Sequence, residues 1–222
     1  MAAATLDRDE AAERLSVFSP YRAGALAGVS GKRIGQWARY GLIRPTIYEG
    51  RPTNRYAFFD VAEAIVVHEL QDLGFTYREI HTAIDTARER FPAWPLLNAD
   101  IGVARHAIEG DRGVIVEKRE DHYVETGRPG GQIVLKPQLL SLARDMLASG
   151  GWLARDLKLE RIEVDPAKLG GAPTLRGRRW PVERVARTAA DPAGRAILID
   201  DYGLDERDVS ESVRWAKAAA AL

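Results

Sequence analysis

Lys32, Arg33, Gln36 and Arg39 fall within one short stretch, spaced so that one side of a helix carries all four. Ammonium and guanidinium groups in such a row match the acceptor edges of guanine and the phosphates of a duplex, and a major groove admits one helix. The plainer alternative is a solvated helix face. A second group follows directly. Arg44, Arg51, Asn54, Arg55 and Tyr56 sit on or beside a short hairpin whose basic tip suits phosphate or minor-groove contact. Tyr56 has an equal second reading, as a ring that covers the core. Arg22 and Ser30 complete the candidate DNA-binding set. Between Phe18 and Phe59 seven cations face one anion, Glu49, a local charge of +6 in a chain whose formal net charge is zero. A third group, Arg176, Arg178 and Arg179, lies in a glycine-rich loop without nearby acids. These read as a second DNA contact, as contacts to an acidic protein surface, or as structural pairs of Asp200, Asp201, Asp205 and Asp208.

The first two groups need a helix, a tight turn, a second helix and a hairpin. Gly28-Val29-Ser30 provides small residues for the turn. Ser30 is expected to cap the second helix, Gly31 to Tyr40, and Gly41 to end it in a left-handed conformation. Ile34 and Trp37 share its inner face, and Trp37 and Trp215 read as core rather than stacking platforms. Gly35 either lets the helix approach a duplex closely or merely weakens it by about 1 kcal/mol relative to Ala. Further on, Asp60 is expected to cap a helix to about Leu73, with Glu63 completing a capping-box-like pair. Thr76 and Glu79 form a second capping box for a helix to about Arg90. Pro92 and Pro95 stop that helix and exclude a long continuous helix at this point. Short strands are expected over 113–116, 123–125 and 132–135, the last after a turn at Gly130-Gly131, and Pro137 is expected to open a helix to about Ala148. After an extended arm at 161–166, helices are predicted from Val182 to about Ala190, from Pro192 to Asp200, and from an Asp205 cap through Trp215.

The predicted fold class is therefore mainly α with a small β component. Residues 1–17 read as a flexible tail and 18–92 as a winged helix-turn-helix. Residues 93–159 read as a short α+β connector, and 160–222 as a small domain of three short helices. At 222 residues, 45% hydrophobic and 29% charged, the chain can bury real cores. It has no cysteine, which excludes disulfides, thiolate metal sites and a cysteine nucleophile. No run approaches the roughly 20 apolar residues of a membrane helix, and the N-terminus lacks a signal-peptide core, so a cytoplasmic location is expected. His68, His81, His106 and His122 fall in no ligand spacing, and no phosphate loop or nucleophile elbow is present. An enzyme, a metal site and a cofactor are not expected.

Two stretches carry family resemblances. Tyr40-Gly41-Leu42-Ile43-Arg44-Pro45, then Tyr56, Asp60, Leu73-Gly74-Phe75-Thr76 and Glu79-Ile80 resemble the MerR-type winged helix-turn-helix over about residues 20 to 90. The family's mid-helix Arg is Gly35 here, and its Tyr is Trp37. Gly170-Gly171-Ala172-Pro173-Thr174-Leu175-Arg176-Gly177-Arg178-Arg179-Trp180-Pro181-Val182, then Asp201-Tyr202-Gly203-Leu204 and Asp208-Val209, resemble a small homeodomain-like antitoxin domain, long catalogued as of unknown function, over about 160 to 217. Together they resemble a MerR-like antitoxin of the VapB type. That resemblance implies a type II toxin–antitoxin system. The chain would repress its operon by binding double-stranded operator DNA and neutralise a PIN-type, VapC-like ribonuclease toxin, with Arg176, Arg178 and Arg179 as candidate toxin contacts. A homodimer is expected, because helix-turn-helix proteins gain specificity from two half-sites. The alternative is a MerR-type, ligand-responsive transcription regulator with 96–159 as sensor.

Overall fold

Two serines start the helices on which the basic residues sit. In the computed structural model, which describes residues 17–47, 54–99, 101–104, 113–119, 122–126, 137–139, 150–165 and 167–222, Ser19 caps α1 (Pro20–Ala27) and Ser30 caps α2 (Gly31–Arg39). The Ser30 hydroxyl accepts from the Arg33 amide at 3.2 Å. Gly24 permits the tight crossing, since a Cβ there would lie 2.4 Å from the Val29 carbonyl oxygen. Gly41, at φ 72°, ends α2, with the Leu42 amide reaching back to the Trp37 carbonyl at 2.9 Å. Strand β1 (Val17–Phe18) pairs antiparallel with β2 (Tyr56–Ala57), so Val17 belongs to the fold, while the rest of the expected tail lies outside the described residues.

Helix α3 (Phe58–Asp72) starts three residues earlier than the sequence suggests, with Ala57 and not Asp60 at the N-cap position. Asp60 is fully buried. One carboxylate oxygen accepts from the Ala57 amide (2.9 Å) and the Thr46 amide (2.7 Å), and the other from the Trp94 indole N–H (2.8 Å). Glu63, also buried, accepts from the Leu96 amide at 3.1 Å instead of completing a capping box. Buried carboxylates survive only with such donors, and these two tie three separate segments to one helix. The Thr76–Glu79 capping box does start α4 (Tyr77–Arg88), which stops just before the proline-rich turn. A single turn, α5 (Pro95–Asn98), follows.

The connector holds an antiparallel sheet in the order β5-β4-β3-β6, built from β3 (Ile101–Ala104), β4 (Val114–Arg119), β5 (His122–Glu125) and β6 (Pro137–Leu139). One expectation changes here. Ile101–Ala104 is a fully buried strand without sequence alternation, and Pro137 begins a strand opposite Ala104 rather than a helix. A proline is tolerated at the first residue of an edge strand because no ladder donor is required there. The expected strand at 132–135, the Gly130-Gly131 turn and 140–149 lie outside the described residues. Helix α6 (Gly151–Asp156) packs on α1, with the Trp152 ring where a Cβ on Gly28 would fall.

Past it, β7 (Ile162–Glu163) pairs with β8 (Thr174–Leu175), and three helical pieces follow: α7 (Val182–Thr188), α8 (Pro192–Ala196) with a π-turn at Ile197–Asp201, and α9 (Glu206–Ala221). The architecture is mainly α with small antiparallel sheets. A main core gathers Phe18, Leu26, Trp37, Ile65, Ile84 and Val103 and also takes in Ile162, Val182, Trp215 and Ala219. A smaller core joins Leu175, Val185, Leu198, Leu204 and Val209. Helices α7 and α9 contribute to both, so the C-terminal unit is packed into the head. Among the described residues, no helix is long and apolar enough to cross a membrane.

Candidate nucleic-acid interface

Ile34 and Trp37 are both completely buried, and this fixes the rotation of α2. The helical period then leaves Lys32, Arg33 and Arg39 exposed and Gln36 half-buried. No acid lies on α2. Lys32 and Arg39 have no hydrogen-bond or ion-pair partner among the described residues. Arg33 is held in place: its Nη2 donates to Gln71 Oε1 at 2.6 Å, and its guanidinium carbon lies 5.6 Å from the Trp37 ring centre. Ser30 spends its oxygen on the helix cap but keeps a hydroxyl proton to donate. A Cβ on Gly35 would meet nothing within 4 Å, so no internal contact demands a glycine there.

Sequence reasoning missed the aromatic end of this face. Tyr40 and Tyr77 are both exposed with ring centres 5.9 Å apart, and Gln71 sits between Tyr77 and Arg33. Burial pushes the Tyr77 phenol up, but hydrogen bonds from Gln71 and Trp37 and the Arg33 charge leave it below its usual value. Tyr77 follows the Thr76 cap directly, the one sequence signal that marks it as turned outward.

Behind α2, the hairpin is built at its base. Ile47 and Arg55 exchange amide bonds of 3.1 and 3.0 Å. Arg44 is exposed, and Asn54 and Arg55 are half-buried. Arg51, at the tip, lies outside the described residues. Tyr56 is only 1% exposed, because β2 turns it under β1, so it is a core residue and not a duplex contact. Burial raises its phenol pKa, the Asn54 side chain partly offsets this, and the Asp60 charge adds to the rise. Arg22 is exposed but engaged: its Nε and Nη2 grip the Glu183 carboxylate at 3.1 and 2.5 Å. It therefore does not stand with the unpaired cations of α2.

The three arginines of the glycine-rich loop are used differently. Arg176 donates from Nε to the Glu160 carbonyl (2.7 Å) and from Nη2 to the Ile162 carbonyl (3.2 Å), and Arg178 donates to the Gly203 carbonyl at 3.2 Å. Neither pairs with Asp200, Asp201, Asp205 or Asp208; Arg161 instead approaches Asp205 and Asp208, at 3.7 Å each. Arg179 alone of the three is exposed without a partner among the described residues. No group of three or more His, Asp or Glu is gathered as for a metal ion among those residues.

Comparison with known proteins bears on both ends of the chain. Residues 162–216 match the family described as "Protein of unknown function (DUF433)". A search of the curated proteins gives no match. Among solved structures, the chain is similar to the crystal structure of Rv2018 from Mycobacterium tuberculosis at 17% identity and a TM-score of 0.54, covering 90% of this chain and 99% of that one. The likeness is one of fold, and it extends through the head, the connector and the C-terminal helices together.

Proposed function

We propose that this chain is the antitoxin of a type II toxin–antitoxin system, which represses its operon by binding operator DNA and neutralises a PIN-type ribonuclease. The observation that carries the DNA half is the unopposed row of Lys32, Arg33 and Arg39, with Gln36, on a helix rotated outward by Ile34 and Trp37. Placed in a major groove, that row supplies donors for guanine edges and charge for flanking phosphates. Two copies on two half-sites would give the operator its length. The toxin half rests on the resemblance of residues 160 to 217 to an antitoxin domain, and the DUF433 match falls on the same stretch. Arg179 is the loop arginine left to enter an acidic toxin surface, where a bidentate pair with a carboxylate is strong.

Lys32→Ala/Arg33→Ala/Arg39→Ala should abolish the shift of DNA from immediately upstream of the gene while sparing co-purification with the neighbouring toxin. A triple variant that shifts the same DNA with an unchanged salt dependence removes the assigned surface. The absence of any PIN-like partner in co-expression with the neighbouring gene removes the antitoxin assignment. A ligand-responsive regulator is the second reading, and a groove of about 520 Å³ between Phe75–Thr82 and strands β4 and β5 favours it. Release of DNA by a small molecule, with no protein partner present, would select that reading.

A further inference from the structure

Beside the head lies a second groove, of about 590 Å³, where α1 meets α7 and α9. Tyr21 and Arg22 form one wall, Glu183 and Arg187 another, Lys217 a third, and Trp215 is part of the floor. Arg187 and Lys217 are exposed and have no ion-pair partner among the described residues. Glu183 is the single acid in the lining, and it is occupied by Arg22. This groove lies next to the N-terminal end of α2. A Cβ on Gly31, the first residue of α2, would lie 3.0 Å from the Tyr21 Cα, so the start of the basic helix abuts the wall that carries Arg22.

We propose that a duplex held by α2 also lays its phosphate backbone across Arg22, Arg187 and Lys217, so that the contact surface passes from the winged head onto the C-terminal helices. The proposal rests on the DNA reading above and adds a second, sequence-independent grip to it. Three cations from three different helices converge on one open trough, whereas cations that serve only solubility are dispersed with acids between them. Glu183 holds Arg22 in a bidentate pair in the free protein. The two non-bridging oxygens of a phosphodiester offer a comparable pair of acceptors and replace it on binding. Glu183 thus acts as a stand-in for the backbone and sets a threshold that weak, non-specific contact must overcome.

The test is a salt titration with a mixed-sequence duplex between about 50 and 200 mM salt, where the slope of log affinity against log salt counts phosphate contacts. Arg187→Ala/Lys217→Ala should make that slope shallower by about 2, and Glu183→Gln should make it steeper by about 1 as Arg22 is freed. Both variants change exposed side chains, and thermal melts followed by circular dichroism check that the fold is kept. An unchanged slope in the double variant, with binding still lost in Lys32→Ala/Arg33→Ala/Arg39→Ala, overturns the groove and leaves the head. A shallower slope in the double variant, with the head variant binding as wild type, supports the groove and overturns the head. No salt-dependent binding by wild type overturns both. A Glu183→Gln protein with an unaltered slope overturns the stand-in role.

Discussion

Two arginine-rich stretches of this chain look alike on paper and are used in opposite ways. On α2, Lys32 and Arg39 extend into solvent, and Arg33 is braced by Gln71 while its charge stays unopposed. In the glycine-rich loop, Arg176 and Arg178 fold back onto main-chain oxygens and hold β7 and the turn at Gly203 in place. The difference lies in what each backbone leaves unsatisfied. A capped helix has few free acceptors, so its long side chains have nothing local to bind. The glycine-rich loop instead lies against the carbonyls of Glu160, Ile162 and Gly203, which belong to no helix, and a guanidinium with five donors satisfies them. On α2 the charge stays available because the neighbouring backbone is already bonded to itself.

Mutations can break or sharpen that contrast. The largest effect belongs to the head, where the Lys32, Arg33 and Arg39 triple alanine variant should lose duplex binding entirely in a shift assay while stability changes by no more than about 0.5 kcal/mol. Asp60→Asn should come next. It leaves the α2 face untouched but removes a charged acceptor from three buried or half-buried donors, lowering stability by about 3 kcal/mol in urea denaturation. A smaller loss, about 1–2 kcal/mol after allowance for exposure, is expected for Arg176→Ala, with duplex binding unchanged. Equal stability losses from Arg176→Ala and from the α2 variant would erase the distinction. The smallest effect is Tyr56→Phe. Its phenol pKa is raised above 10.0 in the folded state, so its contribution is present below pH 10 and lost as pH rises through the folded value. The variant should retain wild-type duplex binding and show a flatter decline of stability in alkaline melts.

What could be read from the sequence was local. Ser30, Gly41 and the Thr76–Glu79 pair act within one turn, and the inward pairing of Ile34 with Trp37 follows from helical geometry alone. What escaped depends on residues far apart. Asp60 reads as a cap because its true donors, Thr46 and Trp94, lie 14 and 34 positions away. Arg22 reads as a free cation because Glu183 is 161 positions away. Strand β3 has no alternation because both of its faces are covered, and β6 is legible only once β3 is known to need a partner on its other edge. Packing also runs across the expected divisions at residues 92 and 159, with Trp152 against Gly28 and Trp215 in the same core as Trp37.

That last feature reaches into how the protein comes to exist. Trp215 and Ala219 complete the core that the first helices begin, so a ribosome that has synthesised the whole basic head has not yet made a finished one. A chain shortened before α9 is therefore expected to hold its basic head less stably, which urea denaturation of a 1–205 variant checks.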